Sequence, residues 1–128
     1  MNRLYSGTIT EIGPDVPDLL EGGLLILFSA GAPAELAEIS VLHTADPVSE
    51  AAEPAIGDIV RFGGVHESRI TSLGERAWAK ARELGHLTFS FNGSAVAERP
   101  GEICVTPLPT PSLLETLQPG RTIEVLRG

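Results

Sequence analysis

The chain has 128 residues, 42% of them hydrophobic, which allows one domain with a real core and argues against a disordered chain. Nine Lys and Arg stand against 17 Asp and Glu, a net charge of −8, and no basic cluster supplies the phosphate contacts that nucleic acid needs. No apolar run approaches the roughly 20 residues that span a bilayer, and residues 1–5 lack the apolar region of a secretory signal, so a cytoplasmic protein that does not itself span a membrane is expected.

Fourteen Gly and ten Pro divide the chain into short apolar runs, the punctuation of a β protein. A first strand is predicted over 4–12, stopped by Gly13-Pro14, and a second over 24–28. Gly31-Ala32-Pro33 opens a turn or a single helical turn, and a third strand over 39–43 ends on His43. An Ala- and Glu-rich loop, 44–53, follows without a clear period. Runs 59–62 and 65–73 flank Gly63-Gly64, a two-residue hairpin signal. One helix is predicted, over 75–84: Ala77, Ala81 and Leu84 share a face, Trp78 lies at its flank, and Gly85 is the left-handed stop. Residues 86–91 alternate, with Leu87, Phe89 and Phe91 on one side and His86, Thr88 and Ser90 on the other. Beyond them lie a strand over 102–106, a stiff connector at Pro107, Pro109 and Pro111, a Ser112–Glu115 capping-box spacing for a helical turn, and a strand over 122–126. Residues 57–62 faintly echo 120–125, each a turn glycine before a strand. Seven or eight short strands with one helix make a barrel or a sandwich.

The chain holds three histidines, His43, His66 and His86. By the period-two rule His43 shares a face with Val41 and Ile39, at the edge of an apolar surface where a strand meets solvent. Partial desolvation there favours the neutral, nucleophilic imidazole. His86 falls on the polar face opposite Leu87 and Phe89, and His66 near the hairpin tip. Each also has a purely structural reading: a strand-end side chain, a bond from His86 to a helix-terminal carbonyl, an exposed His66. The trio could instead ligate zinc with an open position, although no H-x-H or H-x-x-x-H pair occurs. Cys104 has no second cysteine to pair with and reads as a small core hydrophobe. Phosphate-loop and nucleophile-elbow motifs are missing from the sequence.

The run Leu25-Ile26-Leu27-Phe28-Ser29-Ala30-Gly31-Ala32-Pro33-Ala34-Glu35-Leu36, followed by Val41-Leu42-His43, resembles the glucitol/sorbitol-specific enzyme IIA component of the bacterial phosphoenolpyruvate-dependent sugar phosphotransferase system. So do the opening 5–13 and Glu83-Leu84-Gly85-His86-Leu87-Thr88-Phe89 with Phe91-Asn92-Gly93 behind it. The resemblance implies an all-β fold, one domain over 1–128, as a small closed or nearly closed antiparallel β-barrel with one short helix at about 75–84. It implies a cytoplasmic phosphotransferase component that works through a phosphohistidine, with no metal and no cofactor. His43 takes the position of the phosphoryl acceptor. His86 would stabilise the phosphoryl group, with Thr88 and His66 supporting. The implied partners are the histidine phosphocarrier protein as donor and a cysteine on the cognate IIB domain of the sugar permease as acceptor, for uptake of glucitol/sorbitol or a related polyol. Ala32, Pro33, Leu36 and Leu42 are candidate apolar contributors to docking. Thr44-Ala45-Asp46-Pro47 departs from the Cys or His that the family often carries after the phosphorylated histidine. Two other classes remain open: a small metal-dependent β-barrel enzyme using His43, His66 and His86, and a non-catalytic binding module on the same fold.

Overall fold

The computed structural model describes residues 3–46 and 53–128. Eight strands are present among them: β1 (Arg3–Ile12), β2 (Leu24–Ser29), β3 (Val41–Ala45), β4 (Ile59–Phe62), β5 (His66–Leu73), β6 (Leu87–Ser90), β7 (Glu102–Val105) and β8 (Thr122–Leu126). They close into a barrel in the order β1-β3-β2-β6-β7-β5-β4-β8. The expected closed barrel is therefore found. It is mixed rather than wholly antiparallel: β2 runs parallel to β3, and β6 parallel to β7. The reason is connectivity, because each parallel pair is joined by a crossover rather than a hairpin. Residues 30–40, with one helical turn, carry the first, and residues 91–101 the second.

Period-two alternation places the core. Leu25 and Leu27 on β2 are fully buried, while Leu24 and Ile26, which alternate with them, are half-buried on the outer wall. Leu87 and Phe89 on β6 do the same, with Thr88 outside. Phe62 and Phe89 meet edge to face across the interior, ring centroids 5.3 Å apart. The β4–β5 hairpin turns through three residues, 63–65, with Phe62 opposite His66, rather than the two expected, and Gly63 and Gly64 take the positive φ, 64° and 76°, that it needs. The two segments that echo each other become neighbours, since β4 and β8 pair antiparallel with Phe62 opposite Ile123.

Helix is more frequent than one segment. Besides α3 (Ala77–Leu84), which ends on left-handed Gly85 as expected, there are α1 (Val16–Glu21), α2 (Ala34–Ala37) and α4 (Thr110–Thr116). α1 has Pro in its first turn and buries Val16 and Leu20, an i, i+4 pair too brief to register as a period. α4 starts earlier than the capping-box spacing implies: Pro111 sits inside its first turn, and no side chain caps it. Trp78 is no flank residue but part of the core, 8% exposed. Among the described residues no helix is long and apolar enough to cross a membrane.

Because the interior is packed by side chains such as Leu27, fully buried, truncation there leaves a cavity. Leu27→Ala is expected to lower stability to urea by about 2–5 kcal/mol. Ile56→Ala, at a side chain 69% exposed, is expected to change stability by no more than about 0.5 kcal/mol.

A candidate functional site inside the barrel

His43 lies on β3, between β1 and β2, opposite Ile9 on one side and Ser29 on the other. The expectation that its ring sits where a strand meets solvent is corrected here. Thr44 and Ala45 continue the strand, and His43 turns inward with Val41, only 1% exposed. Two residues of β1 form its seat. A Cβ built on Gly7 would stand 2.5 Å from His43 Cδ2, so the ring occupies the space that any larger residue would need. Two residues earlier on the same face, Tyr5 places its hydroxyl 2.5 Å from His43 Nε2. Tyr5 in turn packs edge-on against Trp78 of α3, centroids 6.1 Å apart.

Three buried side-chain polar atoms among the described residues lack a hydrogen-bond partner: Ser40 Oγ, His43 Nδ1 and Trp78 Nε1. Two of these belong to the side chains that flank Tyr5. Unpaired buried polar atoms are uncommon and costly, and they concentrate where function outweighs packing. Burial pushes the His43 pKa below its ordinary 6.5; the carbonyls of Phe28 and Val41 oppose this in part without reaching hydrogen-bond geometry with Nδ1. Burial also pushes the Tyr5 phenol up to about 12. At neutral pH the pair is thus an uncharged imidazole against a protonated hydroxyl.

The other predicted site residues are elsewhere. His86 precedes β6, half-buried, with its ring against Phe28 at 5.1 Å between centroids and its Nε2 3.3 Å from Thr88 Oγ1. Phe28 and Thr88 alternate with the buried Leu27 and Leu87, so this pair lies on the outer wall, whereas His43 faces inward. Burial and the nearby Lys80 charge lower the His86 pKa. A groove on that wall is lined by His86, Thr88, Lys80, Arg99, Leu24 and Ile26. His66 begins β5, half-buried opposite Phe62. The structure joins His86 with Thr88 but brings neither to His43. No group of three or more His, Cys, Asp or Glu side chains among the described residues is close enough to hold a metal ion, so the three histidines do not form a common ligand set. Of the docking candidates, Pro33 is exposed, Ala32 and Leu36 are half-buried, and Leu42 is buried, 4% exposed. Residues 47–52 of the predicted 44–53 loop lie outside the described residues. Cys104 is buried and its thiol pKa is raised by that burial, in keeping with a core role.

Tyr5 and Gly7 are functional candidates that the sequence does not announce. The available signal is a glycine inside a strand, two residues from the chain's one tyrosine.

Comparison with known proteins gives this geometry a context. Residues 4–124 match the family described as "PTS system glucitol/sorbitol-specific IIA component". The chain is 38% identical, over 111 residues, to the PTS system glucitol/sorbitol-specific EIIA components of Shigella flexneri and of Escherichia coli (strain K12), a match covering 85% of this chain and 87% of each relative. Its fold is similar to the crystal structure of a PTS system IIA component from Enterococcus faecalis V583, with TM-score 0.74 and 26% identity over 94% of this chain and 98% of that one. With a match spanning nearly its whole length, the chain belongs to the family of glucitol/sorbitol-specific IIA components of the phosphotransferase system.

Proposed function

We propose that this IIA component is a cytoplasmic phosphocarrier that takes a phosphoryl group onto His43 from the histidine phosphocarrier protein and passes it to a cognate IIB domain, in uptake of glucitol/sorbitol or a related polyol. The observation that carries the reading is the imidazole seated between Gly7 and Tyr5, desolvated and uncharged. Phosphoryl transfer asks little covalent chemistry of a protein beyond a neutral nucleophile held in line. The ring is enclosed as it stands, 1% exposed, so transfer requires the barrel wall or the ring itself to move when a donor docks. His86 and Thr88 retain a proposed role as donors to the phosphoryl oxygens. They lie outside the wall, so that role also depends on movement of His43. His66 has no assigned step. The metal-enzyme alternative has no gathered histidines to support it.

Incubation with phosphoenolpyruvate and the upstream phosphotransferase components should add one phosphoryl group, read by intact mass. His43→Gln should abolish it; a variant that still gains the group refutes the site, and a wild-type chain that gains none favours the non-catalytic binding module. His86→Ala should slow acceptance by about tenfold, equivalent to about 1.4 kcal/mol of barrel-to-donor transition-state stabilisation. An unchanged rate assigns His86 a structural role.

The His43 shift also makes a stability prediction. The folded ring resists protonation, while the unfolded chain takes up the proton as pH falls below 6.5. Stability linked to His43 is therefore full above that value and lost as pH falls towards the depressed folded pKa. Urea denaturation should show wild type losing more stability than His43→Gln between about pH 7 and about pH 5. Equal losses would show that the folded ring is protonated as readily as the free one. His86 contributes in the same direction in both proteins, so the difference isolates His43.

A further inference from the structure

The hydroxyl of Tyr5 has one proton, and among the described residues its hydrogen-bond partner is His43 Nε2. Two proton arrangements are possible for a neutral ring. If Nε2–H donated to the phenol oxygen, the tyrosine proton and the Nδ1 lone pair would both be buried without partners. If the phenol donates to Nε2, the ring proton is on Nδ1, and only that one group lacks a partner. Leaving a buried polar group unpaired costs about 1–3 kcal/mol, so the second arrangement is favoured.

We propose that Tyr5 is a positioning residue: its O–H, donated to Nε2, fixes His43 as its Nδ1–H tautomer and holds the Nε2 lone pair ready for the phosphoryl group. The inference rests on the phosphocarrier reading above and deepens it. On transfer the Nε2 lone pair forms the new P–N bond, while the P–N bond to the donor's imidazole breaks and its electron pair stays with the donor. Nδ1 keeps its proton and the His43 ring takes up the positive charge, a form that the Phe28 and Val41 carbonyls favour. The Tyr5 O–H, displaced from Nε2, turns to a phosphoryl oxygen, so no proton is lost. Gly7 belongs to the same device, since a Cβ there would push the ring from the hydroxyl.

The test uses the full-length, nitrogen-15-labelled protein. Long-range proton–nitrogen correlation spectra of the unphosphorylated chain should show His43 protonated at Nδ1 and bare at Nε2; an Nε2–H ring overturns the proposal. In Tyr5→Phe, which keeps the aromatic ring against Trp78, the Nε2 resonance should shift towards a mixture of tautomers, and phosphoryl acceptance should fall about tenfold. An unshifted resonance or an unchanged rate overturns it. In phosphorylated wild type the phosphorus should be attached to Nε2, and attachment to Nδ1 overturns it. Should Tyr5→Phe fail to fold, the two wild-type spectra still decide. The tautomer is read without any transfer, so failure of the carrier reading, seen as phosphate acceptance by His43→Gln, is distinguishable from failure of the Tyr5 assignment.

Discussion

β1 hydrogen-bonds along both of its edges, and the site depends on that double pairing. Its first half runs against β8, with Tyr5 opposite Val125, and its second half against β3, with Ile9 opposite His43. The two halves overlap at Gly7 and Thr8, with Gly7 opposite Ile123 on one side and Ala45 on the other. The register between β1 and β3 sets His43 over Gly7, and the alternation of β1 points Tyr5 to the same interior. Slipping that register by one residue would send either side chain to the opposite face of the wall and dissolve the pair. Breaks in regular pairing between Arg3 and Tyr5 and between Ile9 and Glu11 bracket the seat on both sides.

The same burial that favours the uncharged imidazole also encloses it. For the proposed carrier role, these two effects pull in opposite directions. The two unpaired ring nitrogens, His43 Nδ1 and Trp78 Nε1, belong to the side chains that pack on either side of Tyr5. The polar deficit of the described core is thus gathered largely around this one tyrosine. The outer groove at His86 is separate from this seat and mixes charges, with Lys80 and Arg99 beside Glu102.

Much of the barrel is legible in the sequence because its strands are short, alternating and bounded by glycine and proline. Leu87, Phe89 and Thr88 fall on the faces that their spacing dictates, and Gly63-Gly64 and Gly85 adopt the backbone that only glycine takes easily. The parallel pairs are not legible, since strand direction depends on which strands become neighbours and no local pattern encodes that. α1 escapes for a different reason: six residues with a proline in the first turn are too few to establish a helical period. His43 is legible as the residue of interest through family resemblance and its strand context. Its inward orientation is missed because the strand is longer than its apolar run, with Thr44 and Ala45 extending it beyond the histidine. Tyr5, 38 residues away in the chain, becomes a neighbour only through barrel closure.

Tyr5 on β1 lies opposite Val125 on β8, and this pairing closes the barrel. The seat of His43 therefore draws on strands from opposite ends of the described fold. Without β8, β1 would carry an unpaired edge beside that seat.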